Sequence, residues 1–207
     1  MKNPTFIFER RLSASGFKTI VGVDEVGCGS LAGPVVAGAV VLQTTFNFAG
    51  LRDSKLLTAK ARERLSEEIK SRARAFAIGE ASVEEINKLG LRPATFLAMR
   101  RALEKISDVD FVLVDAWKIP DLPFEQQGII HGDRLIKSIA AASIIAKVYR
   151  DKLMTDLSET YPQYGFEKHK GYGTAFHLAA IEKCGPCLIH RTSWKRFQKD
   201  FLTHTNN

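Results

Sequence analysis

Apolar positions alternate with polar or small ones from Lys18 to Asp24, and again from Val35 to Gln43, which predicts two strands rich in β-branched residues. The segment Gly27 to Pro34 joins them in the manner of a hairpin with an unusually glycine-rich turn. Phe76 to Glu80 reads as a third strand. Between the strands, Thr58 to Arg74 puts Leu65 and Ile69 on one face among charges, an amphipathic helix with Thr58 as N-cap. Ser82-Val83-Glu84-Glu85 is a capping box, opening a short helix that stops at Gly90, and Pro93 starts a longer one to about Ile106. Phe111-Val112-Leu113-Val114 is wholly apolar and ends in Asp115, as a buried central strand with a carboxylate at its tip would. Ile129 and Ile130 suggest a further short strand before His131-Gly132-Asp133. A long helix is expected from about Arg134 to Thr160, with Ala140, Ala141, Ala142, Ser143 and Ala146 allowing close approach to the sheet. After a break at Gly171 to Gly173, Thr174 to Lys183 and Ser193 to Thr203 read as helices. Antiparallel strands followed by alternating helices and strands make a mixed α/β sandwich, and no internal repeat interrupts it.

Composition narrows the class. The 207 residues are 45% hydrophobic, enough for one good core, and carry a formal net charge of +7, which favours a polyanionic partner such as nucleic acid. The N-terminus lacks the apolar region and cleavage site of a signal peptide, and no apolar run approaches the roughly 20 residues of a membrane span. A cytoplasmic protein, without membrane contact, is expected. Three cysteines argue against a secreted disulfide framework. Cys184-Gly185-Pro186-Cys187 has redox CxxC spacing, but it follows a helical stretch near the C-terminus, whereas the redox motif leaves a strand and opens a helix. Cys184, Cys187 and His190 are three ligands with awkward spacing for structural zinc, which wants four.

Carboxylates gather where separate strands end: Asp24-Glu25 after the first strand, Asp115 after the apolar one, and Asp133 at the head of a helix. Neighbouring strand ends share one edge of an α/β sheet, where ligands bind in many open sheets. Hard oxygen donors in a basic chain suit Mg²⁺ or Mn²⁺, and two such ions about 3.5 to 4 Å apart can drive phosphodiester hydrolysis. Taken singly, Asp133 reads equally well as a helix cap and Asp115 as a turn residue.

Several blocks, in order across nearly the whole chain, resemble the type 2 ribonucleases H, the ribonuclease HII family. They are Val23 to Val36, Asp53-Ser54-Lys55-Leu56-Leu57-Thr58, Val114-Asp115, and Gly132-Asp133 leading into Ile139 to Asp151. Tyr161 to Phe166, His169 to Thr174 and His190-Arg191-Thr192-Ser193 complete the series. The resemblance implies a ribonuclease H-like α/β fold: a mixed central sheet flanked by helices, with a C-terminal helical extension. It implies a single domain over 1–207, with a core at about 18–160 and a substrate-clamping helical region at about 161–207. It implies an endonuclease that cuts the RNA strand of RNA–DNA hybrids and nicks duplex DNA on the 5′ side of an embedded ribonucleotide, using Mn²⁺ or Mg²⁺. By resemblance Asp24, Glu25, Asp115 and Asp133 are the catalytic, metal-binding carboxylates, and Asp151 is a further acidic residue by the second metal. Tyr172 matches the tyrosine that stacks on the sugar at the RNA–DNA junction. Gly27 and Gly29 fit backbone recognition of a 2′-hydroxyl, with Cys28 between them. Ser143 falls in a matching block and joins the substrate-binding set, and Lys55, Lys147, Lys170 and Arg191 are candidates for phosphate contacts.

The family's loop usually reads Gly-Arg-Gly, and Cys28 stands at the arginine's place. A fixed cationic fork is lost, which predicts weaker or less junction-selective binding than an arginine would give. A thiol there also invites a redox role, opposed by the neighbouring negative charge, which disfavours the thiolate. Two other readings stay open: a nucleic-acid-binding module whose carboxylates are structural, and a thiol oxidoreductase using Cys184 and Cys187. Ribonuclease HIII is disfavoured because no separate N-terminal substrate-binding domain precedes Asp24. A monomer is expected.

Overall fold

The structure, a computed structural model, describes residues 3–46, 48, 50, 51, 54, 57–194 and 197. Five strands, β1 (Ile20–Val26), β2 (Val35–Val41), β3 (Ala75–Ala81), β4 (Phe111–Asp115) and β5 (Glu125–Ile129), form one sheet in the order β3-β2-β1-β4-β5. β1, β2 and β3 pair antiparallel, whereas β4 runs parallel to β1 and β5 parallel to β4. The expected short strand at Ile129 and Ile130 is the end of β5, whose alternating exposed and half-buried residues gave no apolar run to read.

Helices cover both faces. In chain order these are α1 (Ile7–Ala14), α2 (Ala59–Arg72), α3 (Val83–Leu89), α4 (Leu91–Leu103), α5 (Gly132–Leu135), α6 (Lys137–Thr160), α7 (Phe166–His169) and α8 (Ala175–Cys184). One face packs Val21, Val23, Val35 and Ala37 against Ala94, Ala98 and Met99 of α4. On the other face Ala140, Ala141 and Ala142 of α6 are fully buried, as their small size required. The approach is so close that a Cβ on Gly22 would stand 2.2 Å from the Ser138 carbonyl carbon, and one on Gly38 2.4 Å from the Ala142 oxygen. No side chain fits there, so these two strand glycines let the 24-residue helix α6 lie directly on the sheet.

The capping signals hold: the Thr58 hydroxyl accepts from the Ala61 amide, and Ser82 and Glu85 cap α3 reciprocally. α4 starts at Leu91, two residues before Pro93, with Gly90 at φ +84° between the two helices. The expected continuous helix from Arg134 is divided at Ile136, which is extended, fully buried and bridged to Thr5. The chain before α1, a helix absent from the expectations above, inserts there: Thr5 N–H donates to the Leu135 carbonyl and Lys137 N–H to the Thr5 carbonyl. The helix expected over Ser193 to Thr203 lies outside the described residues apart from Ser193, Trp194 and Phe197.

Candidate active site

β1 and β4 run side by side with Val23 opposite Val114, so Asp24 and Asp115 follow one residue later on adjacent strands. Strand alternation then separates the acidic pair. Asp24 shares the α6 face with Ile20 and Gly22, and is 5% exposed. Glu25 turns to the α4 face, where it lines a cleft of about 230 Å³ with Cys28, Thr95, Asp115 and Trp117. The Glu25 N–H donates to Asp24 Oδ1 at 2.8 Å, and the Gly132 N–H to Asp115 Oδ1 at 2.6 Å. That second bond holds the start of α5 against the tip of β4, and brings buried Asp133 in the first turn of α5 to the same edge.

Burial pushes the Asp24 carboxyl well above the usual carboxylate range, and the charges of Glu25, Asp115 and Asp133 push it further, against a hydrogen bond from Ser143. Glu25, Asp115 and Asp133 therefore all bear on Asp24 at one sheet edge. Among the described residues, no three Asp, Glu, His or Cys side chains are already drawn together closely enough to hold an ion. The donors nevertheless suit a hard divalent cation: all four are carboxylates, and no positive charge is among the main influences on buried Asp24.

Asp151 stands apart, paired with Lys147 at 2.7 Å and with Arg62 at 3.8 Å. Ser143 is buried, and its hydroxyl is shared between Ser54, 3.0 Å away, and Asp24. It positions the carboxylate from below. The Lys147 ammonium lies 5.4 Å from the centre of the half-exposed Tyr172 ring, and Lys170 donates to Thr155 and to the Glu167 carbonyl. Lys55 lies outside the described residues.

Arg191 is placed differently from a phosphate contact. It is fully buried beneath the Gly27–Pro34 loop and donates to the carbonyls of Gly33, Pro34 and Cys28. Burial and the neighbouring Arg150 push its guanidinium down to about 9, still charged at neutral pH. Arg150, which no expectation singled out, is equally buried and donates to Pro34, Ala32 and Lys170. Gly27, at φ +95°, has no room for a side chain: a Cβ would meet Arg150 Nε at 2.3 Å. The loop also pairs with the C-terminal region. Ser30 bridges Tyr172, Ala32 bridges His190, and Leu31 and Gly33 donate to the carbonyls of Gly171 and Ile189. A Cβ on Gly29 would come within 4.0 Å of the Tyr172 ring, so loop and tyrosine share one surface.

Cys28 is half-buried, with Sγ 3.4 Å from the Thr95 hydroxyl and 3.8 Å from Glu25. The Thr95 hydroxyl also donates to the Leu91 carbonyl, and the thiol donates to Glu25. Burial and the Glu25 charge push it up to about 11, which keeps it protonated and unreactive. Cys184 and Cys187 are free, and Cys184 ends α8 instead of opening a helix. Cys187 Sγ lies 3.1 Å from His190 Nδ1, inside a buried cluster of His169, His177, Tyr164 and Phe166.

Carboxylates at the ends of adjacent strands in a mixed sheet, beside a glycine loop in a basic chain, define a nuclease of the ribonuclease H-like class. The family model described as ribonuclease HII matches residues 21–197. A ribonuclease HII of Syntrophotalea carbinolica is 49% identical over 189 residues, covering 91% of this chain and 90% of that protein. The chain belongs to the ribonuclease HII family, and is an endoribonuclease acting on RNA–DNA hybrids. In three dimensions it resembles ribonuclease H2 of Pyrococcus horikoshii, with a TM-score of 0.75 at 23% identity over 92% of this chain and all of that one. It also resembles Bst ribonuclease HIII, solved in complex with Mn²⁺, with a TM-score of 0.65 at 18% identity over 95% of this chain and 74% of that one.

Proposed function

We propose that Asp24, Glu25, Asp115 and Asp133 hold the divalent ions of this endonuclease, Mn²⁺ or Mg²⁺, and that the enzyme cuts hybrids and nicks duplex DNA 5′ to embedded ribonucleotides. The observation that carries this reading is the placement of Asp24 and Asp115 at adjacent strand ends, with Asp115 bonded to the start of α5 and the charges of Glu25, Asp115 and Asp133 acting on buried Asp24. Uncompensated, they favour protonation of Asp24; a bound cation removes that pressure. The Mn²⁺ complex of Bst ribonuclease HIII supports the choice of ion. When bound, the ions would activate a water and stabilise the leaving oxygen.

The remaining roles belong to the chain itself. Asp115 takes its orientation from the Gly132 amide, and Ser143 orients Asp24. Gly27 and Gly29, on a loop held from beneath by Arg150 and Arg191, offer backbone to a 2′-hydroxyl. Tyr172 presents its ring beside them for the sugar at the junction, with Lys147 next to it for a phosphate. Asp151 contributes by holding Lys147 and Arg62. The region 161–207 acts as the clamp through Tyr172 and its pairing with the glycine loop.

The test compares the parent with Asp115→Asn on duplex DNA carrying one ribonucleotide and on a continuous hybrid, with Mn²⁺, Mg²⁺ or chelator. The parent cleaves both with metal and neither with chelator, and Asp115→Asn loses at least a hundredfold in kcat, about 2.7 kcal/mol of barrier. Cleavage by the parent in chelator, or an undiminished variant, rejects the assignment.

A further inference from the structure

The chain turns sharply just after Asp115. Ala116 adopts φ +56°, and the Trp117 N–H closes back on the Asp115 carbonyl at 2.8 Å. The turn is held on both sides. A Cβ on Gly128 of β5 would come 2.8 Å from the Ala116 oxygen, and the Gln126 side chain bonds both the N–H and the carbonyl of Ile119, at 2.8 and 2.7 Å. Ile119 is buried, so the segment is anchored at its far end. Despite this rigid seat, the Trp117 indole is 62% exposed. Tryptophan is highly buried on average, and its body gains little from water contact, so a fixed, exposed indole at the rim of a catalytic cleft needs a use.

Its surroundings name one. The Arg92 guanidinium lies over the indole, 5.0 Å from the ring centre, which stiffens the side chain by a cation–π contact. Trp117, Arg92 and Phe96 line the cleft that holds Glu25 and Asp115, and they continue into an adjoining depression with Lys118 and Pro120. That outer depression carries two cations and no carboxylate. The surface therefore changes sign within one turn of Asp115, from acidic to basic with an aromatic at the boundary. Aromatic faces flanked by cations are how proteins hold nucleic acid strands without reading their sequence. Topology completes the placement. Tyr172 adjoins the β1–β2 loop and Trp117 the β4–β5 connection, and in the order β2-β1-β4-β5 these flank the end of β1 on opposite sides.

We propose that Trp117, backed by Arg92, is a second aromatic contact for the duplex, packing against a sugar on the side of the scissile phosphate away from Tyr172, with Arg92 and Lys118 on the adjoining phosphates. The occupant is the duplex itself, because the surface is continuous with the catalytic cleft and of opposite charge to a phosphate backbone. This rests on the ribonuclease reading above, and it makes Trp117 a positioning residue.

Two arms test it. The chain has two tryptophans, so in a Trp194→Phe background the emission reports Trp117 alone. Titration in chelator with a labelled duplex carrying one ribonucleotide shifts or quenches that emission in step with the anisotropy of the label. In steady-state cleavage, Trp117→Ala raises KM about fivefold or more with kcat within twofold, while Trp117→Phe stays within twofold of the parent. Shortening the duplex from one end, and not from the other, erases the difference between Trp117→Ala and parent. Unchanged emission when anisotropy shows binding, a KM within twofold for Trp117→Ala, or equal loss from both ends overturns the proposal. A parent that binds but does not cleave overturns the ribonuclease reading instead, and the emission arm still decides the contact. Absence of duplex binding overturns both.

Discussion

Cys28 shows how much one side chain on the glycine loop can alter. Its thiol donates to Glu25 beside the Thr95 hydroxyl and is pushed up to about 11, so it brings no charge to the cleft at neutral pH. An arginine there would face Glu25 and Asp115 across the cleft and offer a fork to a substrate phosphate. Cys28→Arg is expected to bind a ribonucleotide-containing duplex about tenfold more tightly, about 1.4 kcal/mol, with a larger preference for the junction over plain hybrid; competition binding in chelator measures both. Equal affinity and equal preference would remove the argument. The acidic residues and the glycines were legible as residues because their types and order carry the chemistry. Arg150 and Arg191 were not legible as the loop's support. In a basic chain each reads as one more surface cation, and only three-dimensional burial under the loop distinguishes them.

At the scale of elements, α6 organises the site. Its first turns lie on β1 and β2 through Gly22 and Gly38, Ser143 reaches Asp24, and Arg150, two turns on, reaches the glycine loop. Replacing Arg150 by methionine keeps the apolar stem but takes the Arg150 donor from the Ala32 and Lys170 carbonyls, while the Pro34 carbonyl keeps Arg191. At roughly 1–3 kcal/mol for each buried unpaired group, Arg150→Met should cost about 2 kcal/mol or more, read from the urea midpoint. A change below 1 kcal/mol would mean that the loop does not depend on this residue. Periodicity and capping residues located α2, α3 and the start of β2 because those signals are local. The break at Ile136 and the existence of α1 escaped it. An apolar residue between two helical stretches continues the pattern, and what interrupts it is Thr5, 131 positions away in sequence, donating and accepting across the gap.

Across the whole molecule, charge and protonation set the conditions for binding and stability. Four cations near the cleft, Arg92, Lys118, Lys147 and Lys170, predict a hybrid-binding constant that falls with salt at a log–log slope of about −3 to −4 in chelator; a slope near zero would place the duplex elsewhere. The buried histidines give an acid limit. His177 Nδ1 faces the Tyr172 carbonyl and so carries its proton, its Nε2 faces His190 Nε2 at 3.0 Å, and His190 Nδ1 accepts from the Cys187 amide. Each ring therefore has a place for one proton and none for two. Burial pushes both down to about 4, with His190 further lowered by His177. Below about pH 6.5 the unfolded chain gains protons that the folded one refuses, so stability is complete at neutral pH and falls toward pH 4. The loss is about 2.5 kcal/mol for each histidine and less than twice that for the pair, measurable as the fall in urea midpoint between pH 7 and pH 4.5. A flat profile would show that the cluster accepts charge. The sequence by itself determined the carboxylates, the glycine loop, the mixed α/β layout and the family, because these are written in residue type, local period and order along the chain. Only the tertiary structure decided that Asp24 and Glu25 face opposite sides of the sheet, that Arg191 supports the loop, and that Trp117 stands exposed at the cleft. Those depend on which face a strand presents and what packs over it, and both are set by contacts between segments far apart in sequence.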